Sequence, residues 1–195
     1  MEISAFVPFD DETPGGLARR VVPVGSPGPE ARAAIDRMLY LICVTGHPAL
    51  SGPQIGFDGR IVVVDLSGTG RRPIVLVDPE VTSRSSETEI AEEGCIQLPG
   101  LRVAVQRPLV VGVRARSRSG QTVHLHAGGL LGRILQHHLD HLDGRTLLDR
   151  MPAGPRHTYV ERLRRRSFRD ELAAGRAAPA GDCRDLLPDA AAATG

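Results

Sequence analysis

Two stretches of the chain place apolar residues at helical spacing. The first lies between Pro29, a residue favoured in the first turn of a helix, and Gly46, a residue favoured just after the last turn. The second stretch, "LLGRILQHHLDHLDG", ends at Gly144 in the same way. The apolar stripe of the first stretch consists of Ile35, Met38, Leu39 and Ile42. The pattern predicts one helix near the start of the chain and a second one after its middle.

The region between these two helices contains short β-branched runs bounded by turn signals. "RIVVVDL" and "RPIVLVDPEV" each predict a strand, and "EIAEEGCIQLPGLRVAVQRP" predicts a strand pair around a Gly and Pro turn. "LVVGVRARSRSGQTVHLHAGG" alternates apolar and polar residues about a Ser-Gly turn, which predicts a hairpin. The Pro and Gly content of "HPALSGPQIGFDG" predicts a loop. The order of helix, several strands and long helix predicts an α+β fold with mixed or antiparallel strands.

The length of 195 residues fits one domain, which we place at residues 1–175. Residues 176–195 are rich in Ala, Pro, Gly and Asp, which predicts a disordered tail. The net charge of +1 and the absence of Trp argue against DNA and single-stranded nucleic acid as partners. The chain contains no apolar run of membrane-spanning length and no secretory signal, so we expect a cytoplasmic protein without a membrane partner.

The second predicted helix carries a candidate metal site. His137 and His141 are four residues apart, so both imidazoles lie on one helix face and can reach one ion. Cys95, beside Gly94, is the natural third ligand, and a thiolate with two imidazoles suits Fe(II) or Zn(II). Such an ion keeps a position for water and lowers the pKa of that water. The pair alone is weak evidence, because seven histidines make a chance pair plausible.

The other histidines and the first cysteine have simpler interpretations. His124 and His126 alternate along a predicted strand, which indicates a solvent-facing pair. His47 and His157 fall in predicted loops with no evident partner. Cys43 lies in the apolar part of the first helix and is expected in the core.

Three motifs resemble those of the peptide deformylase family. "QHHLDHLDG" resembles the family's "QHExDHLxG", "EEGCIQLPG" resembles "EGCLS", and "HPALSGPQIG" more loosely resembles "GxGLAAxQIG". They occur in family order and at family-like spacing, over roughly residues 20–152. The chain is identified as a divergent member of that family.

The resemblance implies an activity, a cofactor and a set of site residues. Family members bind Fe(II), or Zn(II) or Ni(II) in its place, on a helix packed among strands, and remove the formyl group from the formyl-methionine of new proteins. By position, the metal ligands are Cys95, His137 and His141, and the oxyanion donors are Gln54 and the backbone N–H of Ile96. The residues that face the substrate backbone are Pro48, Ala49 and Arg102.

His138 stands where the family has its proton-shuttling glutamate. An imidazole is a common general base, but a neutral imidazole could also turn to the metal and close its open position. The peptide-pairing motif departs as well, since Pro48 has no N–H to donate. Further departures are His47 and Ala49 for two glycines, Ser51 and Gly52 for two alanines, and Gln97 for a serine.

Two hypotheses follow from this pattern. The chain is either a metal-dependent hydrolase, acting on formyl-methionine peptides or on a small metabolite formamide, or a catalytically impaired homologue that serves as a metal-containing binding or structural module. Bacterial deformylases use a basic C-terminal helix to dock on the ribosome. The predicted helix "YVERLRRRSFRDELAAG" suggests such a contact here, although a solvated helix face is the simpler explanation. The basic residues of that stretch are Arg162, Arg164, Arg165, Arg166 and Arg169.

Overall fold

The computed structural model describes residue 6 and residues 17–69 and 72–165. The helices are α1 (Pro29–Thr45), α2 (Gly129–Leu142) and α3 (Ala153–Arg165). The strands are β1 (Ala49–Ser51), β2 (Ile61–Val64), β3 (Ile74–Arg84), β4 (Thr88–Cys95), β5 (Leu98–Pro108), β6 (Val110–Arg116) and β7 (Thr122–Gly128). Helices and strands therefore combine as expected, and the α+β prediction is confirmed.

The strands form two antiparallel sheets. The larger sheet has the order β1-β2-β3-β6-β7, and the smaller one is the β4–β5 hairpin. Each predicted hairpin joins neighbours in sequence, because short connections bring consecutive strands together in antiparallel register. The predicted "mixed or antiparallel" arrangement is thus antiparallel throughout the described sheets.

Helix α2 separates an apolar core from a polar site. Its residues Leu135 and Leu142 are fully buried against the larger sheet, in a cluster that includes Val62 and Val113. The histidines of α2 point toward the end of β4, where Cys95 lies. Helix α2 ends at Leu142, and Gly144 follows two residues later with a φ of 75°. A Cβ atom at Gly144 would lie 2.7 Å from the backbone nitrogen of Arg20. A larger residue would therefore clash at this position.

Two local predictions are wrong. The segment predicted as one loop contains strand β1, whose residue Leu50 pairs with Val63 of β2 and is fully buried. Strand β2 offers an open ladder edge, so tertiary pairing overrides the Pro and Gly signals that favoured a loop. His157 lies in helix α3 rather than in a loop.

The remaining expectations concern two histidines of β7, Cys43, the C-terminal residues and membrane-spanning helices. His124 and His126 are exposed at alternating positions of β7, and Cys43 is buried, as predicted. The predicted tail at residues 176–195, like Arg166 and Arg169 of the basic stretch, lies outside the described residues. Among the described helices, none has both the length and the apolar character needed to cross a membrane.

Candidate metal centre

The three predicted ligands come together between β4 and α2. One donor atom from each of Cys95, His137 and His141 lies within 4.8 Å of the other two. The Sγ of Cys95 is 3.7 Å from the Nε2 of His141. The helix pitch brings the two imidazoles onto one face, and the hairpin brings the thiol to that face. The arrangement offers one sulfur and two nitrogen donors to a single ion.

Gly94 allows the hairpin to close tightly beside Cys95. A Cβ atom at this position would lie 3.3 Å from Nη1 of Arg102 and 3.4 Å from the carbonyl oxygen of Leu101. The small residue therefore lets β5 and the arginine pack against the backbone that carries the cysteine.

His137 is oriented by a buried carboxylate. Its Nδ1 lies 3.0 Å from Oε2 of Glu93, so an N–H at Nδ1 donates to the carboxylate and Nε2 is left as the donor atom for a metal. Glu93 is itself held by Arg107, whose Nε and Nη2 donate to it at 2.5 and 2.8 Å. Arg133 donates to the same carboxylate at 2.9 Å. The orientation of His137 therefore depends on an ion-pair network that joins the β4–β5 hairpin to α2.

The ion pairs set the charge states of this network. Burial raises the pKa of Glu93, but the hydrogen bonds from Arg107 and His137 outweigh burial and lower the pKa to about 2. Burial lowers the pKa of His137, but hydrogen bonds to Cys95 and Glu93 outweigh it and raise the pKa to about 9. A divalent ion would have to displace the proton that this high pKa retains on His137.

His141 is oriented by Ser51. The Oγ of Ser51 donates a hydrogen bond to Oε1 of Gln54 at 3.0 Å and lies 3.3 Å from Nδ1 of His141. Because the hydroxyl hydrogen is directed to Gln54, the hydroxyl oxygen accepts the N–H of His141. Burial lowers the pKa of His141 well below its ordinary value, which favours a neutral ring. The lone pair of Nε2 then faces the Cys95 sulfur.

His138 lies beside the three donors but outside their set. Its ring centroid is 5.3 Å from that of His137 and 5.4 Å from that of His141. Among the described residues, the group of donor atoms within 4.8 Å of one another contains no atom of His138. Its Nδ1 is buried and has no hydrogen-bond partner within the described part of the chain. Burial, followed by the charge on His137, lowers the pKa of His138 well below its ordinary value, so its imidazole is neutral.

A pocket of about 270 Å³ opens onto this centre. Its walls include the α2 residues Leu130, Arg133 and Ile134 and the end of β4. The predicted site residues that line it are Pro48, Ala49, Gln54, Cys95, Ile96, Arg102, His137 and His138. The structure thus brings the predicted ligands, oxyanion donors and substrate-facing residues to one place.

Sequence reasoning missed three residues of the site. His47 was predicted to have no partner, but it lines the pocket with His138, and burial lowers its pKa. Ser51 appeared only as a departure from the family motif, and Glu93 received no role. The signal for Glu93 was its position two residues before Cys95, since such residues share one face of a strand. The signal for His47 and Ser51 was their replacement of small family residues in the first motif.

Comparisons with known proteins agree with this geometry. The family model for polypeptide deformylase matches residues 7–156. A peptide deformylase from Hydrogenovibrio crunogenus is 32% identical over 150 residues, which cover 77% of this chain and 88% of the relative. A peptide deformylase structure from Legionella pneumophila superposes with a TM-score of 0.73 at 29% identity, covering 83% of this chain and 97% of that chain. A peptide deformylase structure from Synechococcus elongatus in complex with actinonin has a TM-score of 0.74 at 26% identity, covering 86% of this chain and 91% of that chain.

Proposed function

The chain belongs to the polypeptide deformylase family, and from that premise we propose that it removes a formyl or short acyl group from an amide nitrogen by metal-dependent hydrolysis. The observation that carries the proposal is the meeting of Cys95, His137 and His141 beside a pocket that also contains Gln54. A hydrolase of this type needs an ion, an oxyanion donor and a proton acceptor around one small space. The pocket offers candidates for all three.

The donor set fits one divalent ion. Cys95, His137 and His141 would hold it, and both imidazoles have their Nδ1 atoms engaged by Glu93 and Ser51. Three protein donors leave one position open, and a soft thiolate with two imidazoles suits Fe(II), with Zn(II) or Ni(II) as substitutes. When bound, the ion would supply an acidified water as the nucleophile.

Gln54 is proposed to donate to the developing oxyanion. The backbone N–H and the hydroxyl of Ser51 both bind Oε1 of Gln54, at 2.8 and 3.0 Å. The amide NH2 is therefore the end left to donate into the pocket. The N–H of Ile96, which follows Cys95 at the pocket wall, is the proposed second donor. Donors held in place in this way contribute about 3 kcal/mol each to lowering a barrier.

The substrate is proposed to lie against the pocket-lining end of β1. Strand β1 is at the edge of the larger sheet, so an extended peptide could pair with it. Pro48 has no N–H, and its carbonyl already accepts the backbone N–H of Asp65 at 2.8 Å. With Ala49 in place of a family glycine, this segment is therefore less suited to pairing with a peptide. Arg102 is the proposed contact to a substrate carbonyl. The substrate is accordingly a formyl-methionine peptide or a smaller formamide.

His138 is proposed as the base in place of the family's glutamate. Its neutral ring lines the pocket and lies outside the donor set, which supports a role beside the ion rather than on it. An imidazole nitrogen of His138 would accept the proton of the attacking water and return it to the leaving nitrogen.

A turnover assay tests the proposal. Protein loaded with Fe(II) or Ni(II) is incubated with formyl-Met-Ala-Ser and with a panel of small formamides, and the release of formate is measured. Release that depends on the metal supports the proposal. If a folded, metal-loaded preparation releases formate from none of these substrates, the proposal is contradicted. That result would favour the second candidate function, a non-catalytic metal-containing module. The replacement of the family's glutamate by His138 is the observation that supports this second candidate.

The proposed setting is the cytoplasm, where formylated chains would be made. Contact with the ribosome through the basic residues near the end of α3 remains part of this proposal, carried by sequence alone. Co-sedimentation with ribosomes, compared for the full chain and a variant with those arginines changed to glutamine, would test it.

A further inference from the structure

Ser51 occupies a junction between two parts of the site. It is the last residue of β1, it precedes the short 3-10 turn Gly52–Ile55, and its side chain is fully buried. One oxygen atom of this residue contacts both Gln54 and His141, which are 87 residues apart in the chain. The proposed oxyanion donor and one proposed ligand are thus linked through a single hydroxyl group.

The Ser51 hydroxyl is positioned to accept an N–H at Nδ1 of His141, 3.3 Å away, and so favours the tautomer with its proton on Nδ1. Within the described part of the chain, Nδ1 of His141 has the Ser51 Oγ as its hydrogen-bond partner, and His141 is 1% exposed, so solvent cannot replace that acceptor. With the proton on Nδ1, Nε2 has a free lone pair 3.7 Å from the Cys95 sulfur. Without the acceptor, the protonated Nδ1 would be buried and unsatisfied, which costs about 1–3 kcal/mol. The ring would then favour the other tautomer, whose Nε2 carries a proton and cannot bind a metal.

The same hydroxyl supports the orientation of Gln54. The Oε1 of Gln54 accepts from the backbone N–H and from the hydroxyl of Ser51, and loss of the hydroxyl leaves the backbone donor in place. The effect of that loss on Gln54 should therefore be smaller than the effect on His141.

We propose that Ser51 is a positioning residue that selects the metal-binding tautomer of His141 and reinforces the amide orientation of Gln54. A chain with alanine at this position, as in the motif that the sequence resembles, has no hydroxyl to join His141 to Gln54. The proposal rests on the proposed function only in taking His141 as a metal ligand.

Two variants and two measurements test the proposal. Ser51→Ala removes the hydroxyl and keeps the strand. Val63→Ala is the matched control, because Val63 is fully buried on the neighbouring strand β2, opposite Leu50, and loses packing without losing a polar contact to the site. The first measurement is the dissociation constant for Zn(II), by competition with a chromophoric chelator. The second is the tautomer of His141 in the metal-free protein, from the ¹⁵N shifts of its ring.

We expect the affinity for Zn(II) to fall 10- to 100-fold in Ser51→Ala, which is the range seen when a residue that orients a metal ligand is lost. In Val63→Ala the affinity should stay within about twofold of wild type. The metal-free wild type should show the proton on Nδ1 of His141, and Ser51→Ala should shift it toward Nε2. Equal Zn(II) affinity with an unchanged tautomer would overturn the proposal, as would equal weakening in both variants. If the wild type binds no Zn(II), the proposed metal-dependent function is contradicted. The tautomer measurement then tests the role of Ser51 by itself.

Discussion

Replacing Glu93 with glutamine should destabilise the protein far more than the loss of an ordinary surface charge. The side chains of Glu93 and Arg107 are each 5% exposed, and two hydrogen bonds join them. In Glu93→Gln, Arg107 would keep only Asp140 as a carboxylate partner, at 3.0 Å. Breaking a buried pair by removing one charge typically costs about 3–5 kcal/mol, because the remaining charge stays buried without full compensation.

The pKa of Glu93 leads to a similar magnitude and to a pH dependence. Folding lowers this pKa from an ordinary 4.5 to about 2, which corresponds to about 3 kcal/mol of stability. A carboxyl group whose pKa is lowered on folding stabilises the protein fully above its unfolded pKa, and this contribution is lost as the pH falls through the folded value. The difference between wild type and Glu93→Gln should therefore be largest above about pH 5 and should shrink between pH 4.5 and pH 2.

Urea unfolding of the metal-free proteins at pH 7 and pH 3 measures this difference. A chelator is required, since a metal bound only to the folded state would add its own stabilisation. Glu80→Gln is the matched control, because its partner Arg114 is also an arginine at hydrogen-bond distance but both side chains are more than half exposed. The control should lose less than about 1 kcal/mol. If Glu93→Gln loses no more than the control, or the same amount at both pH values, the argument from the buried pair is wrong.

Three further predictions concern the proposed activity. Elemental analysis should find about one metal ion per chain, and Cys95→Ala or His141→Ala should lose it; an unchanged metal content would show that these residues are not ligands. Turnover of formyl-Met-Ala-Ser should be weak because Pro48 and Ala49 alter the segment proposed to pair with a peptide, and a rate equal to that of an ordinary deformylase on the same peptide would refute this. His138→Ala should lower turnover by about 10²–10⁴-fold with the metal retained, and His138→Glu should restore or raise it. Loss of metal in His138→Ala would instead indicate that this histidine binds the ion.

The sequence alone determined the features that depend on local geometry. The spacing of His137 and His141 implies one helix face, because the pitch of an α-helix places residues four apart one turn from each other. The hairpins followed from alternating apolar residues around turn signals, since side chains alternate across a strand. The three motifs were also sufficient to identify the family, because their order and spacing are far more specific than any one of them.

Only the tertiary structure decided the contacts between residues that are distant in the chain. Glu93 reaches His137 over 44 residues, and Ser51 reaches His141 over 90. No local rule connects such residues, because their meeting depends on how the hairpin and the edge strand pack around α2. The same reason explains why β1 was predicted as a loop: its strand conformation comes from pairing with β2 and from the burial of Leu50, neither of which is visible in a segment rich in Pro and Gly.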